Sequence, residues 1–231
     1  MTDRSKDNYR KGKEEMIQYL EDVKFAVESI IAIVWTEYTQ IEQLEREIRK
    51  LERIIQFNLN RVQNLALSDD DDDYLLAIQG QWDSYFGEEK DHYYKNRDVE
   101  SLKKSFDAKK FSINCLSSTL LQIAKQGITT TFPAPKAQQS FERCPNGRLV
   151  GTQPLKIVLR QARNQSMHYD EDNSMTQWLN DCFDKLTQEF GKQFSDYQKT
   201  NKAFEVINLL NWRSFANFKM DMMSFVSDKN I

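Results

Sequence analysis

Between Met16 and Leu65, apolar residues recur at alternating steps of three and four: Met16, Leu20, Val23, Val27, Ile30, Val34, Ile41, Leu44, Ile48, Leu51, Ile55, Val62 and Leu65. Polar residues enter the seam only at Glu37 and Asn58, and no proline or glycine interrupts it after Gly12. A spacing of this kind is a heptad seam, in which one narrow stripe of a long helix is buried against other helices. A continuous helix over these residues would be about 75 Å long at 1.5 Å per residue. It would serve as one long arm of an antiparallel bundle or, less commonly, as a dimerising coiled coil. Between Glu42 and Arg53 acidic and basic residues alternate, as on a solvated helix face.

The rest of the chain favours helices as well. Only 7 of 231 residues are glycine and 4 are proline, too few for the tight turns of a sandwich, a barrel or a Gly-rich nucleotide-binding α/β fold. Hydrophobic residues make up 39% and charged residues 29%, a balance suited to helices with one buried and one solvated face. The 14 Phe, 9 Tyr and 4 Trp separate the chain from disordered sequences. The longest wholly apolar run, Ile30 to Trp35, is far short of the ~20 residues a membrane span needs. The N-terminus is charged without an apolar core, so no secretory signal is expected. Cys115, Cys144 and Cys182 form no CxxC pair, which suggests neither a disulfide framework nor a zinc site and makes a reducing cytoplasm the expected location.

The seam stops at Ser68, and Asp69 to Asp73 read as an exposed turn rather than a Ca²⁺ loop, which needs spaced ligands and a glycine. A second helical stretch is expected from Tyr74 to Phe86, with a break at Gly87. A third is expected from Asp98, with Val99, Leu102, Phe106, Ile113, Leu116, Leu120 and Ile123 on its stripe and Gly127 as its stop. Residues 128–153 hold three of the four prolines, Gly147 and Gly151, and read as a long connector. Helix resumes at Pro154 and ends near Tyr169 to Asn173. Ser174 to Gln177 reads as a capping box for a helix carrying Trp178, Cys182, Phe183, Leu186, Phe190 and Phe194. A last helix from about Asn201 carries Phe204, Ile207, Leu210, Phe215, Phe218, Met222 and Phe225. The expected fold is all-α, an antiparallel helical bundle with a long N-terminal heptad-patterned helix and no clear strand.

Chemistry-bearing residues are few. His92 lies in a charged, aromatic stretch and reads as a surface or packing residue, with no second histidine beside it for a metal. His168 has Asn164 one helical turn before it on the same face, and Arg163 about 140° around the axis. One helix could thus present a guanidinium, an amide and an imidazole to one phosphate. No GxxxxGK[ST], HExxH or GxSxG motif is present.

Arg163-Asn164-x-x-x-His168 on a helix of an all-helical protein resembles the motif of the HEPN domain (higher eukaryotes and prokaryotes nucleotide-binding). That family carries Arg, four to six residues, then His, often with a polar residue just after the Arg. The likeness covers about 15 residues, with a compatible helical context from Tyr74 to Ser227. It implies a metal-independent endoribonuclease, of the kind used as toxins or in anti-phage defence, with Arg163, Asn164 and His168 as catalytic residues and no cofactor. It also implies a homodimer in which two motif helices meet at the two-fold axis, acting on RNA, with an antitoxin or other partner protein in some members. One toxin subfamily has a modified tyrosine two residues after the histidine. Here Tyr169 follows His168 directly and Asp170 takes the later place, so that control is not implied. The expected division is an arm over residues 1–67 and an HEPN-like bundle over 74–231, or one domain that includes the arm.

Charge offers separate support. The whole chain is formally -3, with a pI near 5.6. Yet from Ala124 to Tyr169 seven basic residues, including Lys125, Arg143, Arg148, Lys156, Arg160 and Arg163, face one acid, Glu142. Arg143, Arg148, Lys156 and Arg160 are therefore candidate RNA contacts beside the motif. The alternative reading is a non-catalytic helical module that binds a partner protein or a nucleotide, with Arg163 holding phosphate.

Overall fold

The computed structural model describes residues 3–65, 89–171 and 175–227. The aspartate run, the stretch from Tyr74 to Phe86, Gly87 and Ser174 lie outside the described residues, as do the side chains of Asn58, Val62, Leu65 and His92. The fold is all-α. Its elements are α1 (Asp3–Leu65), α2 (Glu89–Thr131), α3 (Ala137–Arg143), a hairpin of β1 (Leu149–Val150) and β2 (Gln153–Pro154), α4 (Leu155–His168), α5 (Gln177–Phe190), α6 (Ala203–Leu209) and α7 (Phe215–Met223). Single 3₁₀ turns follow α5 and α7. Among the described residues, no helix is long and apolar enough to cross a membrane.

The chain divides into two compact units. The first comprises Met1–Thr36 and Ser112–Ile231; the second is Glu37–Phe111. In the first unit Met16, Leu20, Val27, Ile31 and Val34 of α1 are buried together with Ile113, Leu120, Leu121, Ala124 and Ile128 of α2. The two segments run antiparallel: the Tyr19 hydroxyl donates to the Ile123 carbonyl at 2.7 Å, and Thr131 Oγ1 lies 3.8 Å from Met16 Sδ. In the second unit Ile41 and Ile48 of α1 and Val99 of α2 are buried. Lys109 Nζ binds Glu37 and Gln40, both at 2.6 Å, and Lys103 pairs with Glu52 at 2.6 Å, again an antiparallel arrangement.

The seam is thus real but not strictly heptad. Ile31, rather than Ile30, is the fully buried residue of its turn, and Val23, Leu44, Leu51 and Ile55 are half-buried. An unstrained helix drifts about 20° per heptad from a 3.5-residue repeat, so the buried stripe moves around the helix.

Four expectations need correction. The helix expected to begin at Asp98 and stop at Gly127 runs from Glu89 to Thr131. Gly127 is buried inside it because a Cβ there would come within 2.7 Å of Met222 Cε and 2.8 Å of Tyr19 Cε1. It is a close-approach residue, not a cap. The long connector is largely ordered, holding the end of α2, all of α3 and the hairpin. Gly151 makes the hairpin turn at φ +60°, and Glu189 of α5 accepts from the Thr152 amide at 3.0 Å and from its hydroxyl. The single last helix is two helices. Asn211 adopts the left-handed conformation (φ 57°) and the Trp212 amide reaches back to the Ile207 carbonyl at 3.0 Å, a Schellman-type stop. Ser214 then caps α7 by accepting from the Asn217 amide. The observed cap of α5 is Thr176, which accepts from the Leu179 amide.

Candidate functional site

Helix α4 is fixed by one apolar face and by buried amides. Leu155, Val158, Leu159 and Ala162 are buried. Gln165, fully buried, donates to the carbonyls of Tyr197 and Thr200 at 2.6 and 2.8 Å and accepts from the Lys202 amide at 3.0 Å. Asn201 adds a bond to the Ser166 carbonyl and another to Ser118 of α2. These contacts hold the rotation of α4 and so decide which way its polar residues face.

On another face of α4, Arg160, Arg163 and Asn164 line a cleft of about 150 Å³ with Lys125 of α2 and Gln138 and Phe141 of α3. Drug-sized pockets span roughly 300–1,000 Å³; this volume suits a group the size of a phosphate. No acid lines the cleft. Arg163 Nε donates to Gln122 Oε1 at 2.8 Å, and its Nη1 donates to Asn164 Oδ1 at 3.3 Å. Arg160 lies over the Phe141 ring, 5.7 Å from its centroid. The Lys125 ammonium is held below the usual lysine range, first by burial and then by the Arg163 charge. A crowd of cations with no acid among them is the electrostatic profile of an anion site.

His168 is the last residue of α4 and does not line the cleft. Its Nδ1 lies 2.8 Å from Glu171 Oε1, and the Glu171 amide closes the turn on the His168 carbonyl at 3.2 Å. The carboxylate would keep the ring proton on Nδ1 in the neutral imidazole.

The other sequence candidates have different company. Arg148 makes a two-pronged ion pair with the fully buried Asp221, at 2.5 and 2.9 Å. Lys156 donates to the Cys144 carbonyl at 2.8 Å, and Arg143 to the Pro133 carbonyl at 2.6 Å on the far side of α3, beside a separate, open depression. Of the basic loop and helix, then, Arg160, Arg163 and Lys125 converge on the cleft, whereas Arg143, Arg148 and Lys156 do not line it. Gln122, Gln138 and Phe141 could not be found from sequence, since no motif ties α2 and α3 to α4.

Cys144 and Cys182 are buried, and burial pushes both thiols up to about 12, far from thiolate chemistry at neutral pH. Among the described residues, no group of three or more His, Cys, Asp or Glu side chains is placed to hold a metal ion. No family model matches this chain, and neither the curated proteins nor the solved structures give a significant match.

Proposed function

We propose that the chain is an HEPN-type, metal-independent endoribonuclease, a toxin or anti-phage effector that works in the cytoplasm as a homodimer on RNA. The observation that supports it is the Arg163–Asn164 pair, braced by Gln122 in an acid-free cationic cleft, five residues before His168 on one helix. In this reading Arg163 and Lys125 hold phosphoryl oxygens, and Arg163 stabilises the charge that builds on them as the ribose 2′-oxygen attacks phosphorus. Asn164 positions the guanidinium. His168 takes the 2′-hydroxyl proton in one subunit, and its symmetry mate protonates the leaving 5′-oxygen. The products are a 2′,3′-cyclic phosphate and a 5′-hydroxyl. The test is incubation of purified protein with mixed RNA in EDTA beside His168→Ala and Arg163→Ala. Cleavage by the parent alone is expected; equal cleavage by all three would sink the reading.

A second reading, a non-catalytic module that binds a nucleotide or a partner protein, draws on the separation of His168 from the cleft lining and its contact with Glu171. It predicts phosphate binding that depends on Arg163 but not on His168, and no cleavage.

A further inference from the structure

The second unit carries a charged surface that the cleft does not use. Arg46, Arg49, Lys50 and Arg53 of α1 are all exposed and line one open depression with Ile54. Their spacing of three, four and seven places them within about 100° of one another around the helix. Acids alternate with these bases in the sequence, yet the depression itself is lined by the four bases and Ile54 alone. Of those acids, Glu52 is neutralised by Lys103 of α2, while Glu42 and Glu47 stay beside the stripe. Among the described residues, Glu45 alone pairs with a member of the stripe, Arg49, at 3.3 Å. Exposed pairs of that kind are worth a few tenths of a kcal/mol and exchange readily for a phosphate. One turn beyond Arg53 on the same face stands Phe57, 68% exposed. An exposed ring next to a row of cations is the pairing that a surface for unpaired bases uses.

We propose that this stripe is a binding surface for single-stranded RNA, in which Arg46, Arg49, Lys50 and Arg53 contact successive phosphates and Phe57 stacks on a base. Three guanidiniums can each take a phosphate two-pronged, and the stripe spans about 10 Å along the helix, the reach of a few phosphates. The exposed phenyl favours an RNA strand over an acidic polypeptide. The inference rests on the reading that this chain acts on RNA, but it assigns the contact to the second unit rather than to the cleft.

The test measures binding of a labelled single-stranded oligouridylate to the full chain, in a His168→Ala background so that the probe is not consumed. The variants are the fourfold exchange of Arg46, Arg49, Lys50 and Arg53 to Gln, and Phe57→Ala. Glutamine keeps helix propensity, and a thermal melt checks folding. The fourfold variant should reduce the salt slope of log K by about 3, at roughly 0.7 per cation lost. Phe57→Ala should weaken single-strand binding about tenfold and leave duplex binding unchanged. A fourfold variant that melts like the parent and binds with the same affinity and slope overturns the proposal. So does one that keeps RNA binding but loses binding to polyglutamate, which would make the surface an acidic-protein dock. The outcome is separable from the nuclease reading. If the parent fails to cleave RNA while the fourfold variant loses binding, the stripe stands and the nuclease reading falls.

Discussion

Arg163 reaches across from α4 to α2, and its Nε–H is taken by Gln122 Oε1 at 2.8 Å. With Nη1 on Asn164, two of its five N–H donors are committed to the protein, and the planar fork is held in place over the cleft. The bracing gives a test that leaves the guanidinium itself intact. Gln122→Leu should lower single-turnover RNA cleavage about tenfold, equivalent to ~1.4 kcal/mol at the transition state. Arg163→Lys should cost about 100-fold or more, because an ammonium cannot reproduce the fork. Equal rates for Gln122→Leu and parent would show that the brace has no part in the reaction.

Lys125 sits in the same cleft at a cost to the fold. Burial and the Arg163 charge hold its ammonium below the usual lysine value of 10.5. The folded state therefore binds fewer protons than the unfolded state between the lowered value and 10.5, and stability rises with pH across that window. Below it the penalty is complete. Lys125→Met should thus raise Tm at neutral pH while weakening the binding of inorganic phosphate. In the parent, phosphate affinity should fall as pH climbs through the lowered Lys125 value, and in Lys125→Met that fall should vanish. Calorimetric titration at several pH values reads both effects, and a variant with lower Tm and unchanged affinity would contradict them.

The long α1 and the helical segments of the first unit are legible in the sequence because an apolar stripe of period near 3.6 is a local signal that needs no partner to be seen. The Arg163–Asn164–His168 spacing is legible for the same reason. What is not legible depends on contacts far apart in the chain. Gly127 looks like a stop until Tyr19 and Met222 approach it. Arg148 looks like a phosphate ligand until Asp221, 73 residues later, claims it. Asn211 ends a helix whose apolar pattern continues through it, because a left-handed residue there lets Trp212 turn inward. A net positive segment gives the number of cations but not their directions.

The Arg148–Asp221 pair can be tested as structure rather than as RNA contact. Asp221 is fully buried and also accepts from the Trp212 indole at 2.9 Å, so it ties the hairpin to α7 and to the core. Arg148→Ala would leave a buried carboxylate without its cation, at a cost of about 3 kcal/mol. That corresponds to a Tm lower by roughly 6–12 °C in a chain of this size. The salt slope of RNA binding should not change. A variant with parental Tm and a smaller slope would return Arg148 to the phosphate contacts.

Thiol reactivity should separate the three cysteines. Cys115 is exposed, and Cys144 and Cys182 are buried with thiols raised to about 12. A disulfide reagent at neutral pH should modify one thiol quickly in the native protein and three in denaturant. Since both buried thiols are held neutral well above the ordinary thiol value of 9.0, the unfolded state loses protons first as pH rises. Their contribution to stability is complete below about pH 9 and is lost between there and pH 12. Cys182→Ala should flatten part of that alkaline loss of Tm, measured against the parent from pH 8 upward.

Gly127→Ala sets two effects against each other. An alanine inside α2 gains about 1 kcal/mol of helix propensity. Its Cβ, however, would stand 2.7 Å from Met222 Cε and 2.8 Å from a Tyr19 ring carbon. The methionine tip can turn aside, but the ring is anchored by its hydroxyl on the Ile123 carbonyl and cannot retreat without giving up that bond. Overpacking of this kind typically costs 1–3 kcal/mol, so the clash should win and Tm should fall by several degrees. The combination Gly127→Ala with Tyr19→Leu removes the rigid partner and should recover part of the loss. A rise in Tm for Gly127→Ala alone would mean that propensity, not close approach, governs this position.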